Sequence, residues 1–283
     1  KKRLPKSKIY IDEISKKSLD KIFKRHKIKS VIHLASLKAI NDSVKNPLIY
    51  YENNFLSSLN LIKAMHEYDI KQLVFSSSAA VYGVNHKSPL KENFSLNSHN
   101  PYGNTKIMIE RMISDYADSN KKFKAISLRY FNPIGANIAA GLSEQPLGEP
   151  KNIIPVLLKS IENKKIFKIY GNDYATKDGT CIRDYIHVND IAMSHLKAIK
   201  SINNVKGHIP INIGKGMGIS VLELIQLFEK VNGIKVNYKF TKRREGDSAI
   251  SYADNSLSKK ILKWKPKYSY NEMMKDIWLS RKF

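Results

Sequence analysis

The sequence contains a single cysteine, Cys181, and this scarcity narrows the kinds of site that it can build. One cysteine excludes an intramolecular disulfide and a zinc site made of cysteine thiolates. A chain without disulfides is typical of a reducing compartment, so we expect a cytoplasmic protein with no metal centre. No apolar run reaches the roughly 20 residues that a membrane-spanning helix needs. The basic residues 1–8 lead into no apolar segment of the signal-peptide kind, so no membrane partner is expected.

Acidic residues and arginine are also scarce. The chain has 25 Asp and Glu against 49 Lys and Arg, which gives a formal charge of +24. Such a charge is typical of proteins that bind nucleic acids. However, only eight of these cations are arginine, and the lysines are spread along the chain. Because a composition rich in Lys, Ile and Asn is typical of AT-rich coding, we expect no nucleic-acid partner, although the positive field attracts anionic ligands.

Strands and helices are predicted to alternate in the first half of the chain. A length of 283 residues with 42% hydrophobic residues is enough for one or two domains with a sizeable core. Helices are predicted over Leu19–His26, from Pro47 through Met65, and from Asn100-Pro101 onward. This alternation predicts an α/β fold with a parallel sheet covered on both faces. The predicted strands are SVIHLAS (30–36), KQLVFSSS (71–78) and FKAISLRYFN (123–132).

Polar residues follow the carboxyl ends of these strands, where ligands bind in parallel sheets. The stretch NPYGNTK (100–106) places Tyr102 four positions before Lys106, so both face the same side of a helix. A cation beside a phenol lowers the phenol pKa and favours general acid–base chemistry. This spacing also arises by chance on surface helices. Serines 76–78 supply nearby hydroxyls, although serines at a strand end are also typical of turns and caps.

Several longer motifs carry a specific resemblance. They run in order through essentially the whole chain: HLASLKAINDSVKNPLIYYENN, VFSSSAAVYG, NPYGNTK, LRYFNPIGA, IYGNDYATKDGTCIRDYIHVND, INIGKGMGISVLELI and RREGD. Together they resemble the UDP-glucose 4-epimerases, a family of extended short-chain dehydrogenases/reductases. The resemblance implies an NAD(P)-binding Rossmann-like parallel sheet, truncated at its N-terminus, with a smaller C-terminal α/β part. Residues 1–132 would be the remainder of the dinucleotide-binding domain, and residues 133–283 mostly the substrate-binding part, interwoven with the first.

The resemblance implies an isomerase that uses NAD to interconvert UDP-glucose and UDP-galactose through a 4-keto intermediate. Tyr102 would be the base that takes the proton from the sugar 4-hydroxyl while hydride moves from C4 to NAD and later returns to the other face. Lys106 would lower the tyrosine pKa and hold the nicotinamide ribose. Ser78 would hydrogen-bond the reacting oxygen.

Further site residues follow from the same resemblance. Arginine suits a diphosphate because its forked donors match paired phosphate oxygens. His187, by contrast, is expected to be a packed core histidine. The implied cofactor-binding residues are Asp12 or Glu13, Leu34, Ala35, Ser36, Leu37, Lys38, Asn53, Ser78, Tyr102, Lys106 and Phe131. The implied substrate-binding residues are Lys38, Ser78, Tyr102, Asn132, Asn152, Arg183, Arg244, Asp247 and Ser251.

Ser251 bears on substrate choice. Some bacterial relatives carry a bulky tyrosine four residues after the aspartate of RREGD, where it crowds the substituent on sugar C2. A serine leaves room there, so we expect UDP-GlcNAc and UDP-GalNAc to be accepted alongside the non-acetylated pair. A dehydratase would need acidic residues where this chain has Ser77 and Ser78, and a UDP-glucuronate decarboxylase fits the GNDY, DGT and RDYIHV motifs less well.

The sequence lacks the Gly-rich turn, G-x-x-G-x-x-G, with which family members begin. In the family, that turn brings the backbone to the cofactor pyrophosphate. About 45 residues of the family pattern are missing on this reading, so we expect weak NAD binding. A truncated record, a second polypeptide and a decaying gene remain alternatives, as does a catalytically silent UDP-sugar-binding remnant. A homodimer is expected through the helices that hold Tyr50–Met65 and Tyr102–Ala117.

Overall fold

Strands and helices alternate through the first half of the chain in the computed structural model, which describes residues 7–146, 148–244 and 246–282. The helices are α1 (Lys16–Phe23), α2 (Ile40–Lys45), α3 (Pro47–Tyr50), α4 (Ser57–Glu67), α5 (Pro101–Ser119), α6 (Ile153–Glu162), α7 (Val188–Ser201), α8 (Val221–Asn232) and α9 (Tyr270–Leu279). The strands are β1 (Ser30–His33), β2 (Gln72–Ser78), β3 (Lys124–Tyr130), β4 (Asn132–Ile134), β5 (Phe167–Tyr170), β6 (Ile182–Arg183), β7 (Tyr185–His187), β8 (His208–Ile213), β9 (Ile219–Ser220), β10 (Tyr238–Thr241) and β11 (Ile250–Ser251). Within the described ranges, no helix has the length and apolar character that crossing a bilayer requires.

The largest sheet has four strands in the order β1-β2-β3-β8. β1 and β2 are parallel, with Ser30 opposite Gln72 and His33 opposite Phe75, which confirms the predicted parallel α/β fold. β1 ends at His33 rather than at the predicted residue 36. The chain bends away there because the backbone N–H and C=O of Leu37 bond to the side chain of Asn54 at 2.8 and 3.0 Å, not to a neighbouring strand.

The helix predicted from Pro47 is continuous but not uniform. Pro47 occupies the first turn of α3, where its missing N–H costs nothing. A π-helical turn over Tyr51–Leu56 then connects α3 to α4. α1 begins three residues before the predicted Leu19, because Ser15 and Ser18 form a capping box at its N-terminus. π-Helical turns are rare and are frequent at functional sites, and this one carries Asn54.

The chain divides into two compact units. Unit 1 comprises the described residues up to Ser77, Asn100–Leu128 and Ala198–Pro210. Unit 2 comprises Ser78–His99, Arg129–Lys197 and the described residues from Ile211 onward. The predicted domain boundary after residue 132 stays a prediction.

Each unit has its own hydrophobic core. In unit 1, Met65 of α4 and Ile109 and Ile113 of α5 pack with Phe75 of β2. In unit 2, α6, α8 and α9 pack together through Leu157, Phe228, Ile277 and their neighbours. Because burial of these side chains is the main source of stability, the cores fix the helices and strands that carry the polar residues considered next.

Candidate active site

Tyr102 and Lys106 lie on the first two turns of α5. The side chain of Asn100 caps this helix by accepting a hydrogen bond from the backbone N–H of Gly103 at 2.9 Å, and Pro101 occupies its first position. The Lys106 ammonium lies 5.7 Å from the centre of the Tyr102 ring. The structure therefore brings together the predicted base and the cation beside it.

Lys106 is almost completely buried, with 2% of its surface exposed. Its ammonium donates a hydrogen bond to the carbonyl oxygen of Ser76 at 2.8 Å and lies 4.8 Å from the centre of the Phe75 ring. Burial lowers the pKa of Lys106 to about 7, and the charge of Glu110 opposes that shift. The lysine can therefore change its charge near neutral pH.

The three serines at the end of β2 have different roles. The Ser76 carbonyl accepts from Lys106, whereas the Ser77 hydroxyl donates to the carboxylate of Glu110 at 2.5 Å. The Ser78 hydroxyl oxygen accepts from the backbone N–H of Ala80 at 3.2 Å and caps a short 3-10 turn. The capping interaction uses the oxygen of Ser78, so the hydroxyl hydrogen is available to donate.

The segment after β1 presents apolar side chains to the surface. Leu34 and Leu37 are exposed, as are Ala35 and Lys38. Asn54 is buried beneath this segment, where it bonds the Leu37 backbone and donates to the Thr105 hydroxyl at 3.2 Å. One amide thus holds the segment against α5. Asn53, which the sequence analysis named, is exposed.

Asp12 and Glu13 lie on the surface before α1. Both are exposed, and the backbone N–H of Glu13 donates to the Asp12 carboxylate at 2.9 Å. Both carboxylates are therefore accessible from solvent. Phe131 of unit 2 is buried, and its backbone N–H donates to Ile213 at 3.2 Å.

Arg183, Asp247 and Ser251 come together in unit 2. Arg183 on β6 lies opposite Ser251 on β11, and its guanidinium forms an ion pair with Asp247 at 3.2 Å. Asp247 follows a tight turn in which Gly246 has φ +76°, a conformation that favours glycine. Three of the predicted substrate residues therefore share one surface.

The two neighbouring arginines of the RREGD motif have different surroundings. Arg243 stacks on the ring of Tyr174 at 4.2 Å and bonds the Asp173 carboxylate at 2.7 Å. Arg244 stacks on the ring of Tyr170 at 4.0 Å. The guanidinium of the predicted ligand, Arg244, thus lies over an aromatic face, a contact that guanidinium favours.

Asn132 and Asn152 are both exposed. The backbone N–H of Asn132 bonds the carbonyl of Asp184 at 3.0 Å, which fixes β4 beside β7. The Asn152 side chain donates to Glu144 at 2.6 Å. Both amides lie on the surface of unit 2, where a polar ligand can reach them.

The sequence matches a known protein family. Residues 2–214, more than half of the chain, match the NAD dependent epimerase/dehydratase family. The chain belongs to this family. A curated relative, the UDP-glucose 4-epimerase of Bacillus subtilis, is 43% identical over 268 residues, which cover 94% of this chain and 79% of the relative.

Solved structures of epimerase/dehydratase relatives agree with the fold. The UDP-glucose 4-epimerase of Stenotrophomonas maltophila, solved with bound NAD and formylated UDP-arabinopyranose, has a TM-score of 0.93 and 38% identity. The match covers 97% of this chain and 82% of that one. The UDP-Glc/GlcNAc 4-epimerase of Campylobacter jejuni has a TM-score of 0.83 and 33% identity, with coverage of 98% and 84%.

The residues of this epimerase/dehydratase chain fit NAD, the cofactor of the family. Leu34 and Leu37 give an exposed apolar strip suited to a flat ring, and its backbone is held in place by Asn54. Lys106 and Tyr102 supply a cation and a hydroxyl of the kinds that bind a ribose. The carboxylates of Asp12 and Glu13 are exposed acceptors for further hydroxyls.

Sequence reasoning missed three buried polar residues. Asn54 and Glu110 belong to unit 1, and Asp184 belongs to unit 2. The Asp184 carboxylate accepts from the backbone N–H groups of Lys215, Gly216 and Ala253 at 2.6, 2.9 and 3.1 Å. Burial raises its pKa to about 6, although these bonds act in the opposite direction. Only Glu110 had a signal in the sequence, a charged residue inside the apolar pattern of its helix.

His187 is fully buried, which confirms the expectation of a core histidine. Its ring stacks on Tyr268 with a centroid separation of 3.9 Å, and its Nε2 lies 3.3 Å from the Asp276 carboxylate. Gly135 has φ +88° and passes so close that an added Cβ would lie 2.5 Å from the ring. The histidine therefore packs β7 against α9.

Proposed function

We propose that the chain is an NAD-dependent UDP-glucose 4-epimerase, an isomerase that interconverts UDP-glucose and UDP-galactose through a 4-keto sugar. The observation that carries the proposal is the Lys106 ammonium, buried 5.7 Å from the Tyr102 ring on the same helix. Membership of the epimerase/dehydratase family and 43% identity to a curated UDP-glucose 4-epimerase support it.

Tyr102 acts in this proposal as the base that removes the proton from the sugar 4-hydroxyl and later returns it. The positive charge of Lys106 favours the phenolate, because an opposite charge nearby stabilises the ionised form. Ser78 donates its hydroxyl hydrogen to the reacting oxygen while Ala80 occupies the serine oxygen. Tyr102 thus performs the general acid–base chemistry, whereas Lys106 stabilises its phenolate and Ser78 positions the reacting oxygen.

Unit 1 would hold the cofactor. Leu34–Lys38, Asn53, Lys106 and one of the two acidic residues, Asp12 or Glu13, are the proposed contacts there. Phe131 is a further proposed cofactor contact. The chemistry that NAD supplies when bound is reversible acceptance of a hydride. Asn54 keeps Leu34–Lys38 in place by holding the Leu37 backbone.

Unit 2 would hold the nucleotide and the sugar. Arg183 and Arg244 supply forked cationic donors to a diphosphate, and Asp247 orients Arg183 through their ion pair. Asn132 and Asn152 supply exposed amides. Ser251 lies opposite Arg183 in the strand pair, and its short side chain leaves room for an acetamido group on sugar C2. We therefore propose that UDP-GlcNAc and UDP-GalNAc are substrates too.

The first experiment measures NAD content and epimerase activity of the 283-residue chain. After purification and denaturation, released NAD is assayed, and UDP-galactose conversion is measured with added NAD. We expect weak NAD binding, and epimerase activity when NAD is added. Tyr102→Phe should lower kcat by roughly 10³-fold, since the base is removed, without changing the melting temperature. Tyr51→Phe, which removes a phenol from the π-helical turn, serves as the matched control and should retain activity.

A different result would favour the second candidate, a catalytically silent UDP-sugar-binding protein. Binding of UDP without any binding of NAD would support that candidate. Equal activity of the Tyr102→Phe variant would contradict the assignment of Tyr102 as the base.

We further propose a cytoplasmic homodimer. Unit 1 exposes apolar side chains on helices that contact one another, namely Val44 of α2, Leu48 and Ile49 of α3, Leu56 of the π-helical turn and Met108 of α5. Exposed apolar residues clustered on helices are typical of protein interfaces. Light scattering should give the mass of a dimer for the chain and of a monomer for Leu48→Glu. A monomeric mass for the unaltered chain would contradict the proposal.

A further inference from the structure

Glu110 is a buried carboxylate that the proposed reaction does not yet use. It lies one helical turn beyond Lys106 on α5, and only 4% of its surface is exposed. Residues four apart on a helix lie on the same face, so Tyr102, Lys106 and Glu110 follow one another along that face. A buried acidic residue is costly unless partners compensate for the lost water.

Glu110 and Lys106 are each attached to β2. The Ser77 hydroxyl donates to the Glu110 carboxylate at 2.5 Å. The Lys106 ammonium donates to the carbonyl of Ser76, the preceding residue, at 2.8 Å. Ser76 and Ser77 of β2 thus bond two successive turns of α5, those of Lys106 and Glu110. The bond to Ser76 fixes the position of the Lys106 ammonium.

The groups that face Lys106 come from three elements. β1 contributes His33, whose pKa is lowered to about 4 by burial and by the Lys106 charge, so that it is neutral at physiological pH. β2 contributes the Phe75 ring and the Ser76 carbonyl. α5 contributes Tyr102 and Glu110. Among the described residues, Glu110 is the carboxylate whose charge stabilises the protonated form of this buried lysine.

We propose that Glu110 is a positioning residue: its carboxylate, one helical turn from Lys106 on the same face of α5 and bonded to Ser77, holds the positive charge on Lys106 beside Tyr102. It acts through Lys106 and contacts neither the sugar nor the reacting atoms. Without the carboxylate, the lysine would lose its proton at a lower pH, because burial would then act unopposed. Tyr102 would lose the neighbouring cation under the same conditions.

Two variants separate the charge of Glu110 from its hydrogen bond. Glu110→Gln keeps the volume and an acceptor for Ser77 but removes the charge. Ser77→Ala removes the hydrogen bond but keeps the charge. In protein labelled with ¹³C at lysine Cε, the Lys106 signal is identified by its loss in Lys106→Met, and it should titrate far below the other lysines.

The expected result is a lower Lys106 pKa in Glu110→Gln, by about one pH unit, and an unmoved titration in Ser77→Ala. If both variants shift the titration equally, or neither does, Glu110 is only a packing residue and the proposal is wrong. Should Glu110→Gln fail to fold, Glu110→Asp tests the same point, since retracting the charge should lower the Lys106 pKa by a smaller amount.

Kinetics provide the second readout, and this part of the inference rests on the proposed epimerase activity. In Glu110→Gln the alkaline limb of kcat should move to lower pH by about the same shift, with the KM for UDP-galactose unchanged. An unmoved limb with a raised KM would overturn the proposal. A chain without epimerase activity would refute the proposed function, yet the lysine titration would still decide the role of Glu110.

Discussion

Lys106 is a charged side chain that the fold buries almost completely. In the unfolded chain its pKa returns to the ordinary value of 10.5, whereas burial lowers it to about 7 in the folded protein. Between these values the unfolded state binds the extra proton, so stability rises with pH. Below pH 7 both states are protonated, and the cost of the buried charge is present in full.

The difference between the folded and unfolded pKa values of Lys106 predicts a pH-dependent stability that Lys106 alone causes. Between pH 8 and 9, the free energy of unfolding should rise by about 1 kcal/mol more in the unaltered chain than in Lys106→Met. Urea unfolding at a series of pH values measures it. Lys122→Met, at an exposed lysine, is the control. Parallel curves for the unaltered chain and Lys106→Met would contradict the buried charge.

Ser251 carries the prediction about substrate range. Replacing it with tyrosine should lower kcat/KM for UDP-GalNAc by at least about tenfold relative to UDP-galactose, because a large ring would fill the space for the acetamido group. The unaltered chain should convert both sugars. If the unaltered chain converts UDP-glucose and UDP-galactose but not UDP-GalNAc, a serine at position 251 is not sufficient for acceptance of N-acetylated sugars.

The N-terminus of α5 connects local helix chemistry to the proposed base. Asn100 caps the helix and Tyr102 lies in its first turn, so fraying of that turn moves the phenol. A side-chain cap typically contributes about 1 kcal/mol. Another helix of the chain, α9, is capped in a similar way by Ser269, whose hydroxyl accepts from the Glu272 N–H at 3.2 Å.

These two caps give a matched pair of variants. Asn100→Ala and Ser269→Ala should each destabilise the protein by about 1 kcal/mol. Only Asn100→Ala should also lower kcat for UDP-galactose, because only α5 carries Tyr102 and Lys106. Thermal melts and steady-state kinetics of both variants test this. An equal fall of kcat in the two variants would mean that general destabilisation, not the α5 cap, controls activity.

The charge of the whole molecule has a consequence for binding rates. A net charge of +24 produces a positive field that attracts a UDP-sugar, whose diphosphate is anionic. Salt screens this field over about 10 Å at 0.1 M. The value of kcat/KM for UDP-galactose should therefore fall by up to roughly tenfold as NaCl rises from about 0.02 to 0.3 M.

Measurements of kcat/KM over that salt range, with kcat as the internal control, test the steering. A kcat/KM that does not depend on salt would show that the lysines are too dispersed to guide the substrate. Retention on heparin at roughly physiological salt would revive the nucleic-acid alternative, since phosphate contacts there would have to outcompete the salt.

Much of the fold could be predicted because its signals are local. The apolar runs at 71–78 and 123–132 became β2 and β3, and the Asn100-Pro101 pair marked the start of α5. The end of β1 was predicted three residues too late, because the side chain of Asn54, far along the chain, takes the Leu37 backbone groups. Contacts of that kind have no local pattern.

Tyr102 and Lys106 could be paired from their spacing, since four residues make about one helical turn whatever surrounds the helix. The amino-acid order alone also placed the motifs of an epimerase. Tertiary structure decided the rest: the burial of Lys106, its bond to Ser76, the carboxylate of Glu110 beside it, and the ion pair of Arg183 with Asp247. Burial and electrostatic neighbours arise from residues distant in the sequence, so only the folded chain determines the charge that each group carries.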